Sequence, residues 1–331
     1  MKICATYGAA VDSPFPADMQ EVRLDVFDAV PSWADANTVV TAAGKDRISL
    51  PDGFDGIVDV GDRDVYVPCR KIRSFHHFDG TPPAPFLMME MGSGDQWISK
   101  CACMVNSFRD LHTLYRVADT IGRRHVVIGM GQAGTVTRIR SDLLHNEFTF
   151  GYVGKSTAPG QLSAEEMLEL GDCEIVGITG TPLAHSRSPA MQEAAMRKAG
   201  IRGRYLVFES PDVENMADVM REYDIRGLNV TIPHKTSVMG QLDSVEEAAH
   251  DIGAVNTVVN DNGKIVGYNT DVMGIEYAFE RSGRPLGDHE KVLVHGTGGA
   301  ARAAVWTAIS QGCSVGVMGR TREHVDALCR D

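Results

Sequence analysis

Trp97-Ile98-Ser99-Lys100-Cys101-Ala102-Cys103-Met104 is an apolar run with one charge inside it, and the segment after it changes period. Beyond Ser107, a natural N-cap, Leu111, Leu114, Tyr115, Ala118 and Ile121 share one helical face, and Gly122 ends the helix. A strand followed by an amphipathic helix is the repeating unit of an α/β fold. Further short apolar or alternating runs stand at residues 2–7, 21–27, 38–42, 56–61, 70–78, 125–131 and 148–154. With the first run they make eight candidate strands, which predict a (β/α)8 barrel. Between the third and fourth runs only Gly44 to Asp55 is available, too little for a full helix. The eighth run ends at residue 154, whereas such barrels take at least about 200 residues. Several outer helices are therefore expected to be trimmed.

Downstream, Ser163-Ala164-Glu165-Glu166 reads as a capping box opening a short helix, and Gly171-Asp172 as a hinge. A strand restarts at Glu174-Ile175-Val176-Gly177-Ile178, and a helix from Pro189 to Ala199 is closed by Gly200. Strand and helix patterns then alternate, and a third unit opens at Lys291-Val292-Leu293-Val294. The expected domains are 1–170, 171–288 and 289–331, which suits a 331-residue chain that is 43% hydrophobic and 23% charged. The net charge of −12 argues against a nucleic-acid-binding or polybasic membrane surface. Seven cysteines are scattered without metal-ligand spacing, so no metal site is expected and a reducing cytosol is. The N-terminal Met1–Tyr7 is too short in apolar length for a signal peptide, and no run approaches a membrane span. These features predict a soluble, cytoplasmic protein.

Chemistry in the first half centres on charges inside strands. Glu21-Val22-Arg23-Leu24-Asp25-Val26 puts charged side chains on one face and apolar ones on the other. On a surface sheet the charged face is solvated; inside a barrel it meets the lumen. Only one histidine of Arg73-Ser74-Phe75-His76-His77-Phe78 can face that lumen. Lys100 either snorkels to the surface or is buried. A buried lysine is expected to have a depressed pKa and a free amine able to attack a ketone. Gly151–Gln161 is either a turn-rich connector or a loop offering N–H groups and hydroxyls to an anion.

In the second half polar groups recur just past strands. Gly177–Pro189 leads into a helix with Ser186 and Ser188 at its start, either a plain cap or a carboxylate site. Gly227–Lys235 carries Thr231 and Lys235, Ile252–Thr257 carries Asn256, and Gly267–Asp271 ends in Asp271. One such residue is usually a turn former; four polar strand ends favour a site. Lys291-Val292-Leu293-Val294-His295-Gly296-Thr297-Gly298-Gly299-Ala300-Ala301 is a strand followed by a G-x-G-x-x-A turn, a weak motif alone.

These segments resemble two families. Glu21-x-Arg23-x-Asp25, Ser74-x-His76-x-Phe78, Lys100, Thr137-Arg138 and Thr157-Ala158-Pro159-Gly160-Gln161 occur in the order of type I 3-dehydroquinate dehydratases. The resemblance implies that Lys100 forms an imine with the substrate ketone and that His76 is base and then acid. It implies that Arg138 pairs with the carboxylate, and that Glu21, Arg23, Thr157 and Gln161 orient the ring. Two departures stand out. Ala43 lies near the place of a family arginine, and Asp46 or Arg47 where a glutamate orients the histidine. The second half resembles shikimate dehydrogenase. Ser186 and Ser188 would then bind a carboxylate, Thr231, Asn256 and Asp271 ring hydroxyls, and Lys235, paired with Asp271, would handle the proton.

Together the two resemblances imply a bifunctional enzyme of α/β class: a trimmed (β/α)8 barrel, an α/β substrate domain, and the start of a Rossmann NADP-binding domain. The first reaction would turn 3-dehydroquinate into 3-dehydroshikimate without a cofactor, and the second would reduce that product to shikimate. Gly296, Gly298, Gly299, Ala300 and Ala301 would form the pyrophosphate turn. Arg320 and Thr321, following a strand that ends without an acidic residue, suit a 2′-phosphate and hence NADP. The family usually has Asn at the place of Gly319 and a basic residue near His324. The chain ends at Asp331 after two strands of a domain whose sheet has about six, so negligible NADP-dependent shikimate oxidation is expected of it alone. A Schiff-base aldolase explains Lys100 and His76 but not the adjoining segment, and a non-catalytic sensor of the same ring acids is a further alternative.

Overall fold

The computed structural model describes residues 1–45, 48–63 and 65–330. Eight parallel strands wrap into a barrel: β1 (Ile3–Tyr7), β2 (Met19–Arg23), β3 (Thr38–Thr41), β4 (Ile57–Asp59), β5 (Arg70–His77), β6 (Ile98–Met104), β7 (His125–Met130) and β8 (Thr149–Val153). Their hydrogen-bonded order is β7-β6-β5-β4-β3-β2-β1-β8. At the seam, Asn146 stands in for a strand: Val127 N–H donates to its Oδ1 (2.7 Å), and its Nδ2 donates to the Val127 carbonyl (2.9 Å). Glu147 N–H donates to the His125 carbonyl nearby (3.0 Å).

Helices α1 (Ala84–Gly92), α2 (Phe108–Thr120), α3 (Gly131–Ile139) and α4 (Ala164–Leu170) follow β5, β6, β7 and β8. Among the described residues no helix follows β1 to β4, as the chain length predicted. The outer faces there remain apolar, and connecting segments cover them: Leu24, Val40, Val58 and Val60 pack with Val30, Ile48, Leu50, Phe54 and Val67. Ser107 caps α2 by accepting from Asp110 N–H, and the capping box of α4 forms as its sequence predicted. One strand differs from the expected span. The pattern carried β2 to residue 27, but Val26 and Phe27 N–H donate back to the Arg23 carbonyl (3.0 and 2.9 Å) and turn the chain.

Strand alternation builds the barrel interior in layers. Cys4, Met19, Val39, Ile57, Ile72, Ile98, Val126 and Phe148 belong to one buried apolar cluster. Two residues further along their strands stand Thr6, Glu21, Thr41, Asp59, Ser74 and Lys100. An apolar floor thus carries a polar layer, and that layer is the site.

The chain divides into two compact units, Met1–Glu174 with Ala190–Glu209, and Ile175–Pro189 with Ser210–Asp331. The remaining elements are β9 (Glu174–Gly180), α5 (Ser188–Lys198), β10 (Gly203–Glu209), α6 (Met216–Glu222), β11 (Ile225–Val230), β12 (Ser244–Val245), α7 (Glu247–Ile252), β13 (Thr257–Asp261), β14 (Lys264–Tyr268), α8 (Asp271–Arg281), β15 (Lys291–His295), α9 (Gly299–Ser310), β16 (Ser314–Met318) and α10 (Arg322–Arg330). Within the first unit Phe208 of β10 stacks on Phe108 of α2 at 5.9 Å. In the second unit the strand order is β9-β11-β13-β14-β12, with β9 and β11 parallel and β11, β13 and β14 antiparallel in turn. β15 and β16 form a separate parallel pair. Among the described residues no helix is long and apolar enough to cross a membrane.

Helix α3 lies unusually close to β7. A side chain at Gly134 would meet the Gly129 backbone at 2.4 Å, and Thr137 Oγ1 accepts the Gly129 N–H at 2.8 Å. The expected effect of Gly134→Ala is a loss of about 1–3 kcal/mol from overpacking. Urea denaturation would report it, and unchanged stability would contradict this packing.

Candidate active site

The polar layer opens into a cavity of about 620 Å³ at the C-terminal ends of the strands, within the range of small-ligand sites. Lys100 projects into it from β6 and is only 7% exposed. Its Nζ donates to Asp59 Oδ2 of β4 at 3.0 Å and lies 4.5 Å from the centre of the Phe150 ring. Asp59 Oδ1 in turn accepts Ser74 Oγ (2.7 Å) and Gly61 N–H (3.0 Å). Glu21, buried on β2, accepts the hydroxyls of Thr6 (2.7 Å) and Thr41 (2.6 Å).

This arrangement corrects one expectation. The sequence predicted a lysine with a depressed pKa. Burial does act in that direction and is the largest influence, but the Asp59 and Glu21 carboxylates outweigh it and raise Lys100 above its ordinary value. Burial likewise favours neutral Asp59, yet Lys100 and the two hydrogen bonds hold its pKa below the usual carboxylate value. The resting lysine is an ammonium whose charge is matched.

Other predicted residues meet in the same cavity. His76 of β5 is open toward it, while His77 turns away to stack on Phe75 and bond the Gly80 carbonyl. Enclosure by its neighbours, and then the Lys100 ammonium, lower the His76 pKa to about 4, so the ring is neutral at pH 7. Arg138 reaches the cavity from α3 and is buried; its Nε has no hydrogen-bond partner and its Nη1 makes one long bond to the Phe150 carbonyl (3.4 Å). Burial lowers its pKa to about 10, against the pull of Glu21. A buried guanidinium with an unpaired Nε is chemically suited to pair with an anion. Thr157 N–H and Oγ1 both donate to Gln161 Oε1 (3.1 and 2.9 Å), and Thr135 Oγ1 donates to the Gly160 carbonyl (3.0 Å), tying the loop to α3.

Two residues depart from the expected pattern. Arg23 lines the cavity, but its fork is closed on Asp25 (3.1 and 2.8 Å), which lies past the strand end. Ala43 also lines the cavity, without a charge to offer. Asp46 and Arg47 lie outside the described residues. Sequence reading missed Asp59. Its signal was the one that exposed Lys100: a single charge inside an apolar run, Ile57-Val58-Asp59-Val60.

In the second unit Lys235, Asp271 and Asn256 come together. Lys235 Nζ donates to Asp271 Oδ2, and Asn256 Nδ2 to Asp271 Oδ1 (2.7 Å). Asn256 Oδ1 accepts Thr270 N–H (2.9 Å), and Asp271 N–H is held by Asn269 Oδ1 (3.0 Å). Thr231 follows β11, and its N–H donates to the Thr179 carbonyl (2.9 Å) at the end of the neighbouring β9. Ser186 Oγ accepts Ser188 N–H (3.3 Å) in the loop after β9. Thr181 N–H, from that same loop, donates to the Ile232 carbonyl (3.0 Å). The two loops thus share one sheet edge.

The glycine turn fits a dinucleotide phosphate. Gly296 has φ +135°, a conformation other residues avoid, and its N–H donates to the Met318 carbonyl (2.8 Å). Gly298 is the N-cap of α9 and leaves the helix's first N–H groups uncapped by a side chain. Gly299 packs on Lys235, where a side chain would come within 2.8 Å of its Cβ. Ala300 and Ala301 begin the first turn, while Arg320 and Thr321 stand exposed after β16.

The barrel pair also sets a pH dependence. Folded Asp59 has the lowered pKa, so its contribution is complete above its unfolded value near ~3.9 and is lost as pH falls through the folded one. Folded Lys100 has the raised pKa, so its contribution is complete below its unfolded value near ~10.4 and is lost as pH rises through the folded one. Asp59→Asn should cost about 3–5 kcal/mol, nearly constant from about pH 6 to 8, with the gap to wild type narrowing below about pH 4. A gap that changes steeply near neutrality, followed by denaturant titration, would contradict this assignment.

Two known families match successive parts of the chain. Residues 63–173 match the family described as type I 3-dehydroquinase, and residues 178–258 match the shikimate dehydrogenase substrate binding domain. The shikimate dehydrogenase (NADP(+)) of Pyrococcus furiosus is 41% identical over 159 residues, covering 48% of this chain and 58% of that protein. The chloroplastic bifunctional 3-dehydroquinate dehydratase/shikimate dehydrogenase of Arabidopsis thaliana is 29% identical over 284 residues, 76% of this chain and 46% of that protein. A crystal structure of shikimate dehydrogenase from Aquifex aeolicus is 36% identical with a TM-score of 0.46, covering 48% of this chain and 60% of its own. The chain spans less than two thirds of the length of each of these. Along the chain, the match to the type I 3-dehydroquinase family is followed by the match to the shikimate dehydrogenase substrate binding domain.

Proposed function

We propose that this chain serves two consecutive steps of the shikimate pathway, dehydration of 3-dehydroquinate in the barrel and NADPH-dependent handling of 3-dehydroshikimate by the second unit. The observation that carries the reading is Lys100: a primary amine in a closed polar layer, with an unsatisfied buried arginine in the same cavity. Arg138 would take the substrate carboxylate, which satisfies its orphaned Nε. Glu21, Arg23, Thr157 and Gln161 would hold the ring hydroxyls. Lys100 would form an imine with the ring ketone, and the iminium would draw electrons from the adjacent C–H bond. Neutral His76, open to the cavity, would take that proton and return it to the departing hydroxyl. A Schiff-base aldolase accounts for this cavity but not for the adjoining segment.

In the second unit Ser186 and Ser188 would bind the carboxylate of the same ring acid, and Thr231 and Asn256 its hydroxyls. NADPH, when bound, supplies the hydride for the ring ketone. Lys235, oriented by Asp271, would move the proton at the ring oxygen. The Gly296–Ala301 turn would meet the pyrophosphate, and Arg320 with Thr321 the 2′-phosphate. The expected domain limits, 1–170, 171–288 and 289–331, belong to this reading. Seven cysteines, all free thiols, support a reducing compartment such as the cytoplasm.

Borohydride treatment with 3-dehydroquinate or 3-dehydroshikimate should add ligand mass at Lys100, read by peptide mass spectrometry. His76→Ala should still be trapped while turnover falls about 10²-fold or more, and His77→Ala should stay near wild type. No adduct at saturating ligand, or equal losses from the two histidine changes, would overturn the reading.

A further inference from the structure

We propose that Asp59 is a catalytic residue of the barrel site, the carboxylate that exchanges a proton with the Lys100 nitrogen while the imine forms. The inference rests on the Schiff-base reading above and deepens it.

Three observations converge on Asp59. First, an ammonium has no lone pair, so the amine must lose a proton before it can attack, and Asp59 Oδ2 is bonded to that nitrogen at 3.0 Å. Second, Asp59 is 1% exposed, so bulk water is poorly placed to act in its stead. Third, its geometry is fixed from behind. Ser74 Oγ and Gly61 N–H occupy Oδ1, which leaves Oδ2 aimed at Nζ. The other buried carboxylate nearby, Glu21, is committed elsewhere, since both its oxygens accept threonine hydroxyls.

The step balances without any further reactant. The Lys100 ammonium gives one proton to Asp59, leaving an amine and a carboxylic acid. The amine lone pair forms the C–N bond, the carbonyl π pair moves to oxygen, and a proton passes from nitrogen to that oxygen to give the carbinolamine. Asp59 then returns its proton to the departing hydroxyl as the C–O bond breaks. The products are iminium, water and an Asp59 carboxylate. The positive charge thus stays beside Asp59 before and after, so the site never buries an unmatched ion.

The test is the rate of imine formation, followed by quenching 3-dehydroquinate mixtures with borohydride over time and weighing the intact chain. Asp59→Asn should lower that rate about 10²-fold, while endpoint trapping at long times persists. The long endpoint matters, because removing Asp59 lowers the Lys100 pKa and increases the free amine. Asp59→Glu, which keeps the charge and guards against a variant that does not fold, should slow the step less than Asn and leave the ligand's half-saturation within about twofold. Imine formation by Asp59→Asn at or above the wild-type rate would overturn the proposal, as would an Asp59→Glu rate equal to wild type if the Asn variant does not fold. Failure of wild type to trap at all would instead remove the Schiff-base reading on which this one rests.

Discussion

A lysine buried inside a barrel must be matched, and the Lys100–Asp59 ion pair is the constraint on which the first unit depends. Desolvating two charges costs several kcal/mol for each, and the interior recovers that cost only through close geometry and further hydrogen bonds. Three neighbouring strands supply them: Lys100 from β6, Ser74 from β5 and Asp59 from β4. A one-residue slip of any of these strands would turn its polar group outward and leave the others unmatched. The pair therefore locks register as well as chemistry, while the apolar floor from Cys4 to Phe148 supplies the burial.

The same principle organises the second unit with different parts. Lys235 is paired with Asp271, and Asp271 is held in place by Asn256 and Asn269. Lys235 is half-buried there, so it remains reachable while its charge is matched. The glycine turn at Gly298–Gly299 is compatible with this because it adds no side chain against the lysine stem. In each unit a lysine amine is positioned by a carboxylate whose second oxygen is tied to a neighbour.

Much of this was legible in the residues. The eight runs located all eight barrel strands, and the short Gly44–Asp55 interval foretold that no helix stands there among the described residues. The capping signals at Ser107 and Ser163 were sound because caps are local interactions. What periodicity could not give was the outcome of competition between distant groups. The Lys100 pKa goes up because Asp59, forty-one positions away, meets it from the next strand but one, with Glu21 adding to the effect. Asp25 belonged to the expected strand face, but the turn at Val26 and Phe27 took it out and set it against Arg23. Arg138 could be assigned to a carboxylate by resemblance alone; its burial with an unsatisfied Nε is a property of how closely α3 packs on β7.

The central claim is that Lys100 rests as a matched ammonium whose charge is set by Asp59 and Glu21. Site-resolved 15N NMR of the Lys100 Nζ, titrated without ligand, reads this directly. The account predicts a titration above the ordinary lysine range, moving downward when Asp59 is neutralised. A Lys100 that titrates well below that range in the wild-type protein would contradict it.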